Sequence, residues 1–196
     1  MTENVKTSVK GLVLSGGRSS RMGMDKADIR YGLLPQTRRV MDLLSPWCDE
    51  VLASRAPGQS VPEGVPESAI LRDRFLDFGP LGGILTALCH DREATWLVVA
   101  CDLPLLDART LAILMNARNP QAAATAFLDA SGEFPEPLCA LWEPSIRADA
   151  FLGLARGKTC PRKILMNTRT HLLPSPGQSL FNANTPQERA GIQEAA

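Results

Sequence analysis

Short apolar runs and amphipathic stretches follow one another along this chain, with turn-forming residues between them. Val9 to Leu14 is an apolar run ending in Ser-Gly-Gly, which predicts a buried strand feeding a loop. From Gln36 to Leu44, Val40, Leu43 and Leu44 fall at helical spacing, and Ser45-Pro46 closes the segment. Glu50 to Ser54 and Ala69 to Leu71 read as a second and a third strand. The stretch between them, Pro57 to Pro66, holds three prolines and two glycines and reads as a surface connection. Leu81 to Leu88 predicts a helix with Pro80 near its first turn. Trp96 to Cys101 is apolar throughout, as expected of a central parallel strand covered on both faces. Asp107 to Ala117 predicts a helix with Asp107 as its N-cap. Ala122 to Phe127 and Leu138 to Trp142 read as strands. Pro144 to Leu154, Arg162 to Met166 and Pro186 to Ala195 read as helices.

Strand and helix thus alternate from end to end, without a repeat or a low-complexity linker. The pattern predicts one α/β domain over residues 1–196, three layers deep and doubly wound around a mostly parallel sheet in the Rossmann-like manner. Ligands of such sheets bind beyond the carboxyl ends of the strands, so the chemistry is expected just after Leu14, Leu71 and Cys101. The length suffices for a substantial core. Lys+Arg and Asp+Glu both number 21, and this zero net charge argues against a nonspecific nucleic-acid or anionic-membrane binder. Met1 to Lys10 has no apolar h-region, and the longest apolar runs are too short to span a bilayer. The five cysteines are scattered, with no CxxC pair or nearby His, and read as reduced thiols of a cytoplasmic protein.

The loop after the first strand, Ser15-Gly-Gly-Arg-Ser-Ser-Arg-Met-Gly-Met-Asp-Lys26, carries the first chemical signal. Gly16 and Gly17 lack a Cβ, so backbone N–H groups there can approach a phosphate closely. Arg18, Arg21 and Lys26 add three cations suited to a triphosphate. Neither G-x-x-x-x-G-K-[ST] nor G-x-G-x-x-G is present, so the loop is not one of the commoner phosphate-binding turns. A dinucleotide-binding oxidoreductase is disfavoured on the same ground.

Leu14, Gly16, Gly17, Ser19, Arg21, Met22, Gly23, Asp25 and Lys26 together form L-x-G-G-x-S-x-R-M-G-x-D-K. This loop resembles the signature of the molybdenum cofactor guanylyltransferases, the molybdopterin-guanine dinucleotide biosynthesis protein A family of the nucleoside-triphosphate transferase superfamily. The resemblance continues in order along the chain. Arg72-Asp73 followed by Gly79-Pro80-Leu81-Gly82-Gly83-Ile84 resembles the family's Asp and G-P-L-x-G-I. Cys101-Asp102-Leu103-Pro104-Leu105 resembles C-D-x-P-x-L, Pro137 to Trp142 resembles the acceptor-side strand, and Asn182-Ala-Asn184-Thr185-Pro186 resembles N-x-N-T-P.

The resemblance implies a nucleotide-diphospho-sugar transferase-like fold and transfer of GMP from GTP to molybdopterin or its molybdenum-loaded form. It implies a nucleotide site of Leu14, Ser15, Gly16, Gly17, Lys26, Ser54, Asp73 and Asp102, with Arg21, Lys26 and Asp102 as the catalytic set. Ser54 stands where members often place an Asn. Asp73 would accept from the guanine N1 and N2 donors or act elsewhere in the site. A carboxylate ending a buried strand is costly to desolvate without a cation, which makes Mg²⁺ the expected partner of Asp102. Asn182 or Asn184 would complete the metal or phosphate site, with Asn184 taken as the ligand. Lys158, Arg162 and Lys163 would receive the acceptor's phosphate or form an exposed basic turn. Other molybdenum cofactor biosynthesis or delivery proteins are the expected partners. Rival readings are a cytidylyl- or sugar-phosphate nucleotidylyltransferase on the same fold, or a non-catalytic delivery module.

Overall fold

Seven strands form one mixed, mostly parallel sheet in the order β3-β2-β1-β4-β6-β5-β7. They are β1 (Val9–Leu14), β2 (Glu50–Arg55), β3 (Ile70–Arg72), β4 (Thr95–Ala100), β5 (Ala124–Leu128), β6 (Pro135–Trp142) and β7 (Thr170–Leu173). The computed structural model describes residues 8–16, 29–30 and 33–183. The predicted helix from Pro186 to Ala195 lies outside them. Among the described residues, no helix is long and apolar enough to cross a membrane.

Alternation of side chains along each strand sends them into two separate cores. Leu12, Leu14, Trp96, Val98, Ala140 and Trp142 face one side. There they pack with residues of α2 (Pro80–His90), α4 (Ile146–Ala155) and α5 (Pro161–Leu165). Val13, Leu97, Val99, Cys139 and Leu141 face the other, under α1 (Gln36–Leu44) and α3 (Ala108–Asn116). The result is the three-layer arrangement that apolar parallel strands require, since both of their faces must be covered. Every residue of β4 is buried, as its unbroken apolar run predicts.

The alternation of strand and helix is incomplete in two places: β2 and β3 are joined by the expected surface connection with only a short 3₁₀ turn at Glu67–Ala69, and the second break follows β5. No helix separates β5 from β6, and residues 129–134 join them directly, so β6 runs antiparallel to both β5 and β4. β6 also starts three residues before the predicted strand and takes in Pro135 and Pro137. Proline is tolerated there because the ladder to β4 reaches only Val99↔Cys139, while the ladder to β5 is irregular between Ala126 and Leu128. The predicted helices within the described residues fall where expected, and the Asp107 side chain accepts from Thr110 N at the start of α3. β7 is an addition to the predicted elements.

Candidate active site

A cavity of about 810 Å³ opens at the carboxyl ends of β1, β2, β3 and β4. The register explains why these ends share one site. Leu14 pairs with Ser54 on one side and with Ala100 on the other, and Ser54 pairs with Leu71, so the four strands stop side by side. The residues that follow must turn into a common space.

One wall is built around Ser54 and Asp73. Ser54 Oγ donates to Asp73 Oδ1 at 2.6 Å, and Asp73 N donates to Arg55 O at 2.9 Å. Burial holds the Asp73 carboxyl above the usual aspartate range, although the Ser54 hydrogen bond and the nearby Arg55 cation both pull it down. Ser15 Oγ donates to Ser54 O at 3.1 Å, fastening the residue that follows β1 to β2. Arg55 is fully buried and donates from Nη1 to Ser15 O at 2.7 Å and from Nε to Ser60 O at 3.1 Å. Charge at such a site survives only with hydrogen bonds of this kind.

Helix α2 enters against this wall through glycines. A Cβ at Gly83 would run into Ser54 Oγ, and one at Gly82 would strike the carbonyl of Phe75. Close packing at this helix start is therefore why Gly-Gly follows Pro80-Leu81. The connection from Asp73 to α2 carries Asp77 at φ 64° and Gly79 at φ 54°, and Phe75, Leu76 and Asp77 line the cavity.

The other wall is β4. Cys101 N donates to Leu14 O, which extends the ladder beyond the strand and sets Asp102 into the cavity. Asp102 O accepts from Ala183 N at 3.2 Å, so the Asn182-Ala183 segment lies across the end of β4. Asn182 Oδ1 is buried with no hydrogen-bond partner among the described residues. An Asp carboxylate and an orphaned amide oxygen, held on adjoining segments, suit a hard cation such as Mg²⁺, which takes few protein oxygens plus substrate phosphates and water. Among the described residues, no group of three or more His, Cys, Asp or Glu could hold a metal. A cation at Asp102 would thus draw most of its oxygens from phosphates and water.

Of the residues expected from the sequence, Leu14, Ser15, Gly16, Ser54, Asp73 and Asp102 line this single cavity. Gly17, Arg21, Lys26 and Asn184 lie outside the described residues. The expected acceptor-side cations do not line it. Lys158 and Lys163 border a separate pocket of about 170 Å³, and Arg162 pairs with Asp129 at 3.0 Å and Glu136 at 3.6 Å. The reason is geometric: Lys163 on α5 and Lys158 in the connection before it face the α4–α5 side, and two carboxylates occupy Arg162. Burial pushes the Glu136 carboxyl up, and Asp102 and Asp129 add to the shift, while hydrogen bonding to Leu138 N and the charge of Arg162 oppose it.

Sequence reasoning missed Arg55 and Gln59, whereas Leu138 of the cavity lining belongs to the strand that it placed on the acceptor side. A charged residue ending the apolar run of β2 was the available signal for Arg55. Gln59 sits in a Pro/Gly-rich connection and gave none.

The family model for the MobA-like NTP transferase domain matches residues 11–171. A molybdenum cofactor biosynthesis bifunctional protein of Synechocystis is 34% identical over 95% of this chain, which spans only 54% of that protein. A molybdenum cofactor guanylyltransferase of Burkholderia ambifaria is 32% identical, with 98% of both chains covered. Among solved structures, molybdopterin-guanine dinucleotide biosynthesis protein A of Archaeoglobus fulgidus superposes with a TM-score of 0.73 at 21% identity, covering 95% of this chain and 97% of its own. That likeness is one of fold.

Proposed function

The chain belongs to the molybdenum cofactor guanylyltransferase family of MobA-like NTP transferase domains, and from that membership we propose that it transfers GMP from GTP to the phosphate of molybdopterin or Mo-molybdopterin. The products would be pyrophosphate and molybdopterin guanine dinucleotide. The observation that carries the reading is the convergence of Ser15-Gly16, the Ser54–Asp73 pair and Asp102 on one cavity.

In the proposed reaction, an acceptor phosphate oxygen attacks the α-phosphorus of GTP. The bond from that phosphorus to the β-phosphate oxygen breaks, and pyrophosphate leaves with its electron pair. A phosphate monoester is largely ionised near neutral pH, so no general base is required. The absence of both histidines, His90 and His171, from the cavity lining agrees with this. Catalysis is then positioning and charge balance. Backbone N–H groups after Leu14 cradle phosphate, Asp73 holds the nucleoside, and Arg21 and Lys26 balance the triphosphate charge as pyrophosphate departs. Asp102 and an asparagine of the Asn182/Asn184 pair would hold Mg²⁺, which supplies charge neutralisation on the phosphates when bound.

The test is pyrophosphate release with Mg²⁺ and each nucleoside triphosphate, with and without molybdopterin. Release with GTP and molybdopterin together is the expected outcome. Release with CTP instead would move the chain to a cytidylyl activity. GTP binding without release would leave a delivery module.

A further inference from the structure

We propose that Gln36 and Arg39, at the start of α1, are positioning residues that fix the turn following Asp102; the inference rests on the Mg²⁺ and GTP reading above and extends it to two residues outside the resembling motifs. Gln36 opens α1 and is only 1% exposed. It holds two segments at once. Its backbone N donates to Ile29 O at 2.8 Å, and its side-chain Nε2 donates to Leu103 O at 3.2 Å. Ile29 follows the motif that ends at Lys26, and Leu103 is the residue after Asp102. A carbonyl can only accept, so the Gln36 amide atom facing Leu103 O is the nitrogen.

Arg39 lies one turn further along the same helix face. Its Nη2 donates to Leu106 O at 2.6 Å. Between the two gripped carbonyls, Leu106 N donates to Leu103 O at 3.3 Å and closes the turn Leu103-Pro104-Leu105-Leu106. Both end residues of that turn are buried. Beyond it, Asp107 caps α3 by accepting from Thr110 N. Burial holds the Arg39 guanidinium below the usual arginine range, and the charge of Asp107 opposes this. On the other side of the turn, Asp102 O accepts from Ala183 N. The backbone that carries the Asp102 carboxylate is therefore held at consecutive carbonyls, one by Ala183 and the next by Gln36.

The chemistry of the two side chains argues for more than packing. Gln36 Oε1 and Arg39 Nη1 are both buried with no hydrogen-bond partner among the described residues. A buried polar atom left unpaired costs stability. Val40 and Leu44 on the same helix fill its buried face without that cost. Local rules of this kind are expected to be broken where function needs the residue. What Gln36 and Arg39 supply, and an apolar residue could not, is a pair of donors to the carbonyls of the turn after Asp102. A carboxylate that must meet a cation and a phosphate gains from a backbone fixed beforehand, because small displacements weaken such contacts steeply.

The experiment measures GTP dissociation constants of the purified chain by calorimetry, once in Mg²⁺ and once in EDTA, so neither acceptor nor turnover is needed. Wild type is compared with Gln36→Leu and Arg39→Met, which keep most of the side-chain volume and remove the donors. Asp102→Ala is measured alone and combined with each. Melting temperatures check folding, and where one of the two variants fails to fold the other decides. Wild type is expected to bind GTP more tightly in Mg²⁺ than in EDTA. Gln36→Leu and Arg39→Met are each expected to cut that gain by about three- to tenfold and to leave the affinity in EDTA unchanged. In the Asp102→Ala chain neither should cause a further loss, because both act through Asp102. Variants that keep the full Mg²⁺ gain overturn the inference. An equal loss in Mg²⁺ and in EDTA reduces the two residues to packing and also overturns it, as does a loss that persists in Asp102→Ala. A wild type that binds GTP with no gain from Mg²⁺ overturns the metal role of Asp102 and this inference with it. A wild type that binds no GTP overturns the nucleotide reading itself.

Discussion

Asp102 and Asp73 are both aspartates at strand ends, yet their surroundings give them different work. Asp102 O accepts from Ala183 N across the end of β4, and the preceding Asn182 carries a buried amide oxygen with no hydrogen-bond partner among the described residues. Asp102→Ala is expected to fold with an unchanged melting temperature and to lose pyrophosphate release at least a hundredfold, by analogy with the loss of other electrostatic groups in active sites. Wild-type-like turnover would remove Asp102 from the mechanism. Asp73 is instead desolvated and held by a hydroxyl, and its carboxyl sits above the ordinary range. In the proposed role Asp73 accepts from the guanine donors as a carboxylate, so GTP affinity is expected to fall on acidification at a higher pH than an exposed aspartate would dictate. Ser54→Ala removes a hydrogen bond that favours the carboxylate, so this acid limb should move to still higher pH. An unmoved limb in a binding titration would separate Ser54–Asp73 from nucleotide recognition. The contribution of Asp73 to folding has the opposite sign. Its folded pKa is raised, so that contribution is fully present below the unfolded value and is lost as pH rises through the folded one. Both aspartates were legible in the sequence because each ends a strand within a recognisable motif. Gln59 was not, because its nearness to Gly16 depends on the pairing of Leu14 with Ser54, residues far apart in the chain.

Helix α2 shows how an element can be placed by what it lacks. Gly82 and Gly83 let its first turn approach Phe75 and Ser54 so closely that a methyl group would collide with either. Gly83→Ala sets two effects against each other. Ala gains about 1 kcal/mol of helix propensity over Gly, while overpacking costs about 1–3 kcal/mol. The packing loss is expected to win, because the added carbon would also come within 2.8 Å of Leu14 Cδ2 and neither strand can retreat from its ladder. The variant should melt lower and bind GTP more weakly, since Ser54 is pushed off Asp73. A rise in melting temperature with intact binding would show that α2 can shift outward. At this scale most elements were readable from periodicity, and the misses have physical causes. β7 is a four-residue edge strand of weak alternation, and the start of β6 is hidden by prolines that only a one-sided ladder tolerates.

The sheet as a whole separates chemistry from stability along its strands. The cavity occupies the carboxyl end of β4, and at the other end Thr95 joins Glu143 and Arg118 in a buried network. Arg118 Nε and Nη2 donate to the two Glu143 carboxylate oxygens at 2.7 and 2.9 Å, and Thr95 Oγ1 donates to Glu143 Oε2 at 2.7 Å. The six residues of β4 put roughly 20 Å between the two ends. Glu143→Ala leaves Arg118 without its carboxylate and is expected to cost about 3 kcal/mol in urea unfolding, with GTP affinity unchanged. A parallel fall in GTP affinity would mean that the two ends are coupled. The amino-acid sequence by itself determined the alternating apolar runs, hence the three-layer α/β class, and the strand-end motifs, hence the residues that line the cavity at the strand ends. These are local properties, set by the period of side chains and by a few residues in fixed spacing. The tertiary structure alone decided the antiparallel course of β6, the turning away of Lys158 and Lys163, and the meeting of Gln59, Arg55 and Arg72 beside Asp73. Those outcomes depend on strand order and register, which arise from the simultaneous burial of distant residues and leave no local trace in the chain.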